Sequence, residues 1–180
     1  MDDSIIRQLK NGFVGIVPTD TIYGLVGSAL NPSTVERIYH LKDRDSCKPM
    51  IILIGSINDL KIFGINLDLK TKSILQKYWP GPTSIILPCE SRQFEYLHRG
   101  TKSLAIRIPR KNNLRKFLVA TGPLVAPSAN IEGKSPAKTI ADARSYFGNQ
   151  VDFYVDGKTL NGRPSTLIKL VNNKKIVLRK

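Results

Sequence analysis

Cysteine and histidine are scarce in this chain. Its 180 residues include two cysteines, Cys47 and Cys89, and two histidines, His40 and His98. Two distant cysteines cannot form a disulfide framework, and so few Cys and His residues cannot build a zinc cluster. Motifs of the His-Glu-x-x-His, Gly-x-Ser-x-Gly, Walker and Gly-x-Gly-x-x-Gly types are missing too. The common metallo-, hydrolase and dinucleotide chemistries therefore lack their residues.

Long apolar runs are also missing. The longest, such as residues 50–54, fall far short of the ~20 residues that cross a bilayer. The start Met-Asp-Asp-Ser has acids where a secretory signal has basic residues. A hydrophobic content of 41% with 23% charged residues is typical of a globular protein. We therefore expect one domain spanning residues 1–180, cytoplasmic and with no membrane partner.

Short apolar runs rich in β-branched residues alternate with segments of helical period, a pattern typical of an α/β or mixed α+β fold. The asparagine pair at 172–173 predicts a hairpin turn that places Arg179 at the end of the last strand. The predicted strands are residues 13–17, 50–54, 84–87, 104–108, 124–126, 152–155, 166–170 and 174–178. The predicted helices are residues 4–10, 32–42, 67–78, 112–121 and 139–147.

Positive charge exceeds negative charge twofold, with 28 Lys and Arg against 14 Asp and Glu and a net charge of +14. Residues 99–116 carry seven Lys or Arg and no acid, and seven more follow Asp156, again without an acid. Solvated surface lysines account for part of this excess. The rest favours a polyanionic ligand, either nucleotide phosphates or an RNA backbone.

One arginine lies inside an apolar strand. Strand alternation places Ser103, Ala105 and Arg107 on one face of the segment Ser-Leu-Ala-Ile-Arg-Ile-Pro. A guanidinium beside a sheet core needs an anionic partner. That partner is either a ligand or a carboxylate of the protein, and the sequence leaves both alternatives open.

Polar side chains directly follow the first predicted strand. The motif Pro-Thr-Asp-Thr-Ile-Tyr-Gly-Leu at residues 18–25 supplies two hydroxyls, a carboxylate and a glycine. The carboxyl end of a strand is where an α/β protein commonly binds its ligand. The alternative is a plain turn that Asp20 caps.

Three cations lie within seven residues after the second predicted helix. Lys42, Arg44 and Lys48 form an arrangement suited to a polyphosphate. The alternative is that Asp43 and Asp45 pair with these cations at the surface. The segment alone does not decide between the two.

Three more motifs complete the set. Trp-Pro-Gly-Pro-Thr-Ser at residues 79–84 predicts a rigid, structural turn. Pro-Ser-Ala-Asn at residues 127–130 offers oriented donors and acceptors beside small residues. Arg-Pro-Ser-Thr at residues 163–166 adds another hydroxyl, and Arg179 adds a cation.

Together these six motifs resemble, in order and spacing, the short single-domain threonylcarbamoyl-AMP synthases of the YrdC family. The resemblance covers residues 5–179; each motif is weak alone, but six in order are specific. It implies a twisted, open, mixed sheet flanked by helices, with a basic concave face.

The resemblance also implies an activity. Family members are nucleotidyltransferases that convert L-threonine, bicarbonate and ATP into L-threonylcarbamoyl-AMP and pyrophosphate, the first step toward t6A at position 37 of tRNA. Mg2+ is expected with ATP, held mainly by the nucleotide because no carboxylate cage is visible. Other proteins of the t6A pathway are expected as partners, and tRNA or RNA is a candidate ligand of the basic surface.

Site residues are implied by motif position. The threonine set is Thr21, Arg107, Ser128 and Ser165. The ATP set is Arg44, Lys48, Ser103, Asn130, Lys138 and Arg179. The catalytic set is Lys42, Arg44 and Lys48, of which Lys42 has no individual role assigned.

Two departures from the family pattern stand out. Leu53 replaces a histidine that many relatives carry, which puts one threonine contact in doubt, and Glu132 replaces a small serine before Gly133. Since a carboxylate near a polyanion site would repel the ligand, we expect the Glu132 side chain to point away. Two rival interpretations are a non-catalytic RNA-binding module and a paralogue with another substrate.

Overall fold

The computed structural model describes residues 2–171 and 174–180. Two short 3-10 helices, Ile57–Phe63 and Arg92–Phe94, accompany the α-helices. The α-helices are α1 (Asp3–Lys10), α2 (Pro32–Lys42), α3 (Leu69–Gln76), α4 (Glu95–His98), α5 (Asn112–Thr121) and α6 (Ile140–Phe147). The strands are β1 (Gly15–Pro18), β2 (Tyr23–Ser28), β3 (Ile51–Leu53), β4 (Thr83–Pro88), β5 (Ser103–Arg107), β6 (Leu124–Val125), β7 (Phe153–Tyr154), β8 (Thr166–Val171) and β9 (Lys174–Arg179).

The nine strands of the described residues form one sheet in the order β7-β1-β2-β6-β3-β5-β4-β8-β9. The pairs β1/β7, β3/β5 and β4/β8 are parallel, and the other neighbours are antiparallel. The sheet is therefore mixed, which confirms the predicted α/β class. The pairing of β8 with β9 is that of a hairpin, while its predicted turn at 172–173 lies outside the described residues.

Helices cover both faces of the sheet. Alternate residues of a strand point to opposite faces, and Ile52 and Leu53 accordingly enter two different buried clusters. The cluster around Leu53 includes Leu9 of α1 and Phe117 of α5. The larger cluster, around Ile52, includes side chains of α2, α3, α4 and α6. The core is thus divided by the sheet into two apolar layers.

Strand β2 is an element that the sequence did not predict. It occupies part of the segment interpreted as a ligand-binding turn, and five of its six residues are buried. Two glycines interrupt its apolar pattern, and this hides the strand from a periodicity argument. Gly27 is needed for packing, since a β-carbon there would overlap the side chain of Thr34 on α2.

Helix α2 precedes the loop of residues 43–50, which carries Arg44 and Lys48 and is called the cationic loop below. Asn31 caps its start by accepting the Thr34 N–H at 3.2 Å, and Pro32 occupies the first turn. Val35 and Ile38 bury its apolar face. The helix ends at Asp43, whose backbone is left-handed with φ of 49°. After this turn, residues 44–50 connect α2 to β3.

Among the described residues, no helix has both the length and the apolar character needed to cross a membrane.

Candidate active site

A cleft opens on the face of the sheet that also carries α1 and α5. Ile51 lines the cleft and packs against the Leu53 cluster, which identifies the face. The apolar walls come from Ile22, Met50, Ile51, Ala105, Ala126 and Leu167. The polar lining consists of Thr19, Thr21, Arg44, Arg107, Ser128, Ser165 and Arg179. Segments spread along the chain from residue 19 to residue 179 therefore meet at one concavity.

The buried arginine of β5 has an internal carboxylate partner. Arg107 Nη1 lies 2.5 Å from Asp20 Oδ1, and the two side chains are 4% and 5% exposed. Asp20 Oδ2 also accepts the Arg110 N–H at 2.7 Å. The partner of Arg107 is thus a carboxylate of the protein, and the Asp20 side chain bonds to residues 107 and 110 instead of capping its own turn. Arg107 Nε has no partner among the described residues, and the guanidinium lines the cleft.

The turn between β1 and β2 is shaped by Thr19. Its Oγ1 accepts the N–H groups of Thr21 and Ile22 at 3.1 and 3.2 Å and donates to the Ile22 carbonyl at 2.6 Å. Thr21 is half-buried and its hydroxyl lies 3.1 Å from that of Thr19. The segment around Gly162 packs against this turn so closely that a β-carbon on Gly162 would overlap the Thr21 carbonyl.

Lys42 lies beneath the site rather than in the cleft lining. The residue is 2% exposed, and its Nζ donates to the backbone carbonyls of Ser128 at 2.6 Å and Asn130 at 2.5 Å. The Lys42 carbonyl also accepts the Glu132 N–H at 2.7 Å. Burial, with Arg44 nearby, lowers the pKa of Lys42 from 10.5 to about 8. Lys42 therefore holds the Ser128 loop in place through three contacts.

Asn130 keeps an unused acceptor in this loop. Its Nδ2 donates to the carbonyls of Ile131 at 2.7 Å and Lys134 at 2.8 Å. The residue is 6% exposed, and its Oδ1 has no partner within the described part of the chain. A buried acceptor without a donor is costly, so this oxygen is suited to a ligand donor.

A serine pair closes another side of the cleft. Ser165 Oγ lies 2.8 Å from Ser84 Oγ, and both residues are buried. Arg179, at the end of β9, donates to the Ser165 carbonyl through Nε at 3.2 Å and Nη2 at 2.9 Å. The sequence placed Ser84 in a purely structural turn and so missed this support.

The cationic loop presents Arg44 to the cleft. Arg44 donates to the carbonyls of Lys48 at 3.1 Å and Pro49 at 3.2 Å, which fixes its guanidinium against the loop. The Lys48 side chain is 57% exposed and pairs with Asp45 at 3.6 Å. The surface pairing considered from the sequence is therefore real for Asp45, whereas Asp43 ends α2.

The expectation that Glu132 points away is wrong. Glu132 Oε1 lies 3.1 Å from Lys48 Nζ and 4.0 Å from Arg44 Nη1, and Oε2 accepts the Asp45 N–H at 2.8 Å. The contact of its own N–H with the Lys42 carbonyl brings the residue to the cationic loop. The Asp45 N–H, followed by the hydrogen bond from Lys48, lowers the pKa of Glu132. Attraction to two cations thus determines the orientation.

Some predicted residues lie outside the cleft lining, namely Lys42, Lys48, Ser103, Asn130 and Lys138. Ser103 begins the strand that ends at Arg107, and its hydroxyl donates to Thr101 at 3.3 Å. Lys138 is exposed, and its carbonyl accepts the Leu160 N–H at 2.8 Å. Thr21, Arg44, Arg107, Ser128, Ser165 and Arg179 are the predicted residues that the fold does bring together.

The titratable side chains do not suggest a metal centre. Among residues 2–171 and 174–180, no group of three or more His, Cys, Asp or Glu residues could hold a metal ion. The mixed sheet and its cation- and hydroxyl-lined cleft define an α/β protein with a site suited to an anionic ligand.

Comparison with known protein families identifies the family of this chain. The Sua5/YciO/YrdC family model, whose description is "Telomere recombination", matches residues 7–180. The chain therefore belongs to the Sua5/YciO/YrdC family, as the six motifs predicted.

Several similar proteins are threonylcarbamoyl-AMP synthases by name. The putative threonylcarbamoyl-AMP synthase of Methanocaldococcus jannaschii is 33% identical over 174 residues, which cover 96% of this chain and 82% of that protein. The threonylcarbamoyl-AMP synthases of Pyrococcus abyssi and Bacillus subtilis are 31% and 32% identical over 95% of this chain. The match spans about half of their length, 51% and 50%.

Solved structures agree in fold. P. abyssi Sua5 complexed with L-threonine superposes with a TM-score of 0.89 and 28% identity over 98% of this chain and 52% of that one. Escherichia coli YciO superposes with a TM-score of 0.86 at 20% identity, covering 99% of this chain and 87% of that one. The latter likeness concerns the fold alone.

Proposed function

We propose that this protein is an L-threonylcarbamoyladenylate synthase. It uses L-threonine, bicarbonate and ATP to form L-threonylcarbamoyl-AMP and pyrophosphate, the first step toward t6A in tRNA. Family membership and the shared name of its relatives support the activity. The observation that carries the proposal for this chain is the convergence of Thr21, Arg107, Ser128, Arg44 and Arg179 on one cleft.

The threonine would bind at the Arg107 end of the cleft. Asp20 engages Nη1 of Arg107 and leaves the rest of the guanidinium available to the amino-acid carboxylate. The hydroxyls of Thr21 and Ser128 lie on the same cleft. Because Asp20 holds the guanidinium in place, little side-chain entropy remains to be lost on binding.

The reaction brings two anions together. The threonine nitrogen attacks the carbon of bicarbonate, and loss of water leaves a carbamate. A carbamate oxygen then attacks the α-phosphorus of ATP, the bond from that phosphorus to the bridging oxygen breaks, and pyrophosphate leaves. The obstacle is like-charge repulsion, which positioned cations reduce. Arg44 and Arg179, which both line the cleft, would provide this stabilisation.

The remaining ATP residues extend this site beyond the cleft. Lys48 and Lys138 would contact phosphates, and Ser103 and Asn130 would contact other parts of the nucleotide. The buried free acceptor of Asn130 supports such a role. Mg2+ would enter with ATP as its counterion, since the described carboxylates form no cluster to hold it.

Pyrophosphate release tests the proposal. We expect release only when L-threonine, bicarbonate and ATP are all present. Arg44→Ala is expected to lower the rate by at least about tenfold, because in this proposal Arg44 stabilises the charge on the leaving pyrophosphate. Lys70→Ala is a matched control, since Lys70 lies on the exposed side of α3. Equal turnover without threonine would contradict the proposal and favour a paralogue, and RNA binding without turnover would favour the RNA-binding module.

A further inference from the structure

Glu132 places a carboxylate where the proposed function needs an anion site. Three donors converge on it: Lys48 Nζ at 3.1 Å, the Asp45 N–H at 2.8 Å and, more distantly, Arg44 Nη1 at 4.0 Å. A backbone N–H flanked by two cations is the donor set that a phosphate group uses. The loop is therefore already occupied by an anion of the protein itself.

The contact is built so that the side chain can leave while the backbone stays. The Glu132 N–H is held by the Lys42 carbonyl at 2.7 Å. The side chain is 28% exposed, and that of Lys48 is 57% exposed. Rotation about the Glu132 side-chain bonds would move the carboxylate into solvent without breaking the backbone hydrogen bond.

We propose that the Glu132 carboxylate is an internal competitor for the nucleotide, which a phosphate group of ATP displaces from Lys48, Arg44 and the Asp45 N–H. The inference rests on the proposed function. Its physical basis is that two anions cannot share one set of donors without strong repulsion. Glu132 therefore weakens phosphate affinity and keeps the cations paired when the site is empty.

An alternative role would be to order the loop. In that case, loss of the carboxylate would leave residues 44–48 less well positioned and would weaken phosphate binding. Glu132→Gln separates the two roles, because the amide oxygen can still accept the Asp45 N–H while the charge is removed. Glu132→Ala removes both the charge and the hydrogen bond.

Calorimetric titration with inorganic pyrophosphate, Mg-ATP and L-threonine tests the proposal on the full chain. We expect Glu132→Gln to lower the Kd of pyrophosphate and of Mg-ATP by roughly fivefold while that of L-threonine stays unchanged. In a Lys48→Met background, the same substitution should change the Kd of pyrophosphate by less than about twofold, because the main partner of Glu132 is then missing. Glu90→Gln is the matched control, since it makes the same charge change at an exposed residue.

The outcomes separate the two proposals. Unchanged or weaker binding of pyrophosphate by Glu132→Gln would overturn the competitor role, even if the enzyme is active. Failure of pyrophosphate to bind wild type and variant alike would also overturn it. If the wild-type protein binds pyrophosphate but neither Mg-ATP nor L-threonine, the proposed function fails. The pyrophosphate comparison would still decide whether Glu132 competes with phosphate groups for this loop.

Discussion

Asp20 and Arg107 form a buried ion pair between a turn and a strand that lie 87 residues apart in sequence, with Nη1 and Oδ1 at 2.5 Å. Each charge depends on the other, because a lone ion with 4–5% exposure would be poorly solvated. The pair also joins the β1–β2 turn to the end of β5. It therefore sets the geometry of the proposed threonine site before any ligand arrives.

Asp20→Asn is expected to lower the free energy of unfolding by about 3 kcal/mol, because it leaves Arg107 buried without an anion. Urea denaturation measures the change. Glu36→Gln is the control, since it breaks the Glu36–Arg99 pair, whose carboxylate side chain is 45% exposed, and should cost less than about 1 kcal/mol. Equal losses for the two variants would show that burial of the Asp20 pair has no special weight.

Lys42 is expected to make stability depend on pH. Its folded-state pKa of about 8 lies below the usual 10.5, so the unfolded chain binds more protons between these values. The free energy of unfolding of the wild type, relative to Lys42→Met, should therefore rise as pH increases from 8 to 10.5. The full rise is on the order of 3 kcal/mol.

Parallel urea denaturation of wild type and Lys42→Met across this pH range gives the difference directly. Groups common to both proteins cancel, which makes Met a suitable replacement of similar length. A difference that stays constant with pH, or one that falls as pH rises, would contradict a lowered pKa for Lys42.

Ser84→Ala is expected to cost about 1 kcal/mol of stability, because it removes the hydroxyl partner of Ser165 in a buried pair. Without Ser84, the Ser165 hydroxyl retains the longer contact of 3.4 Å with Arg179 Nη2 and is held less firmly, so we expect weaker threonine binding in calorimetry. Ser73→Ala, on the exposed side of α3, is the control and should change stability by less than about 0.5 kcal/mol. If Ser84→Ala matched this control in both measurements, the serine pair would have no role in the site.

Gly162→Ala tests the close approach of the segment around Gly162 to the β1–β2 turn. Its new β-carbon would overlap the Thr21 carbonyl, so segment and turn must separate. We expect a raised Kd for threonine with a smaller effect on Mg-ATP, because Thr21 belongs to the proposed threonine set. Equal weakening for both ligands would indicate a general disturbance of the fold instead.

The regular elements of the fold were predictable because their signals are local. All eight predicted strands and all five predicted helices are present, with shifts of a few residues at their ends. Periodicity, caps such as Asn31 and stop signals such as Gly148 act within a few residues of the chain. Strand β2 was missed because two glycines interrupt its apolar pattern. The 3-10 helices and α4 were missed because they are too short to show a helical period.

The identity of the cleft residues was easier to predict from the sequence than the contacts that hold them in place. The motifs identified the cleft residues Thr21, Arg107, Ser128 and Arg179. They did not reveal that Lys42 supports the Ser128 loop from below, or that Ser84 supports Ser165. Both facts depend on which loops meet across the sheet, and no spacing along the chain encodes that.

By itself, the sequence determined the class of fold, the family and the kinds of groups available for binding an anion. Tertiary structure alone decided which charges pair: Arg107 with Asp20, and Lys48 with Glu132. The physical reason is range. Backbone hydrogen bonding and side-chain periodicity act between near neighbours, whereas an ion pair forms only where packing of distant segments brings two charges within a few ångströms.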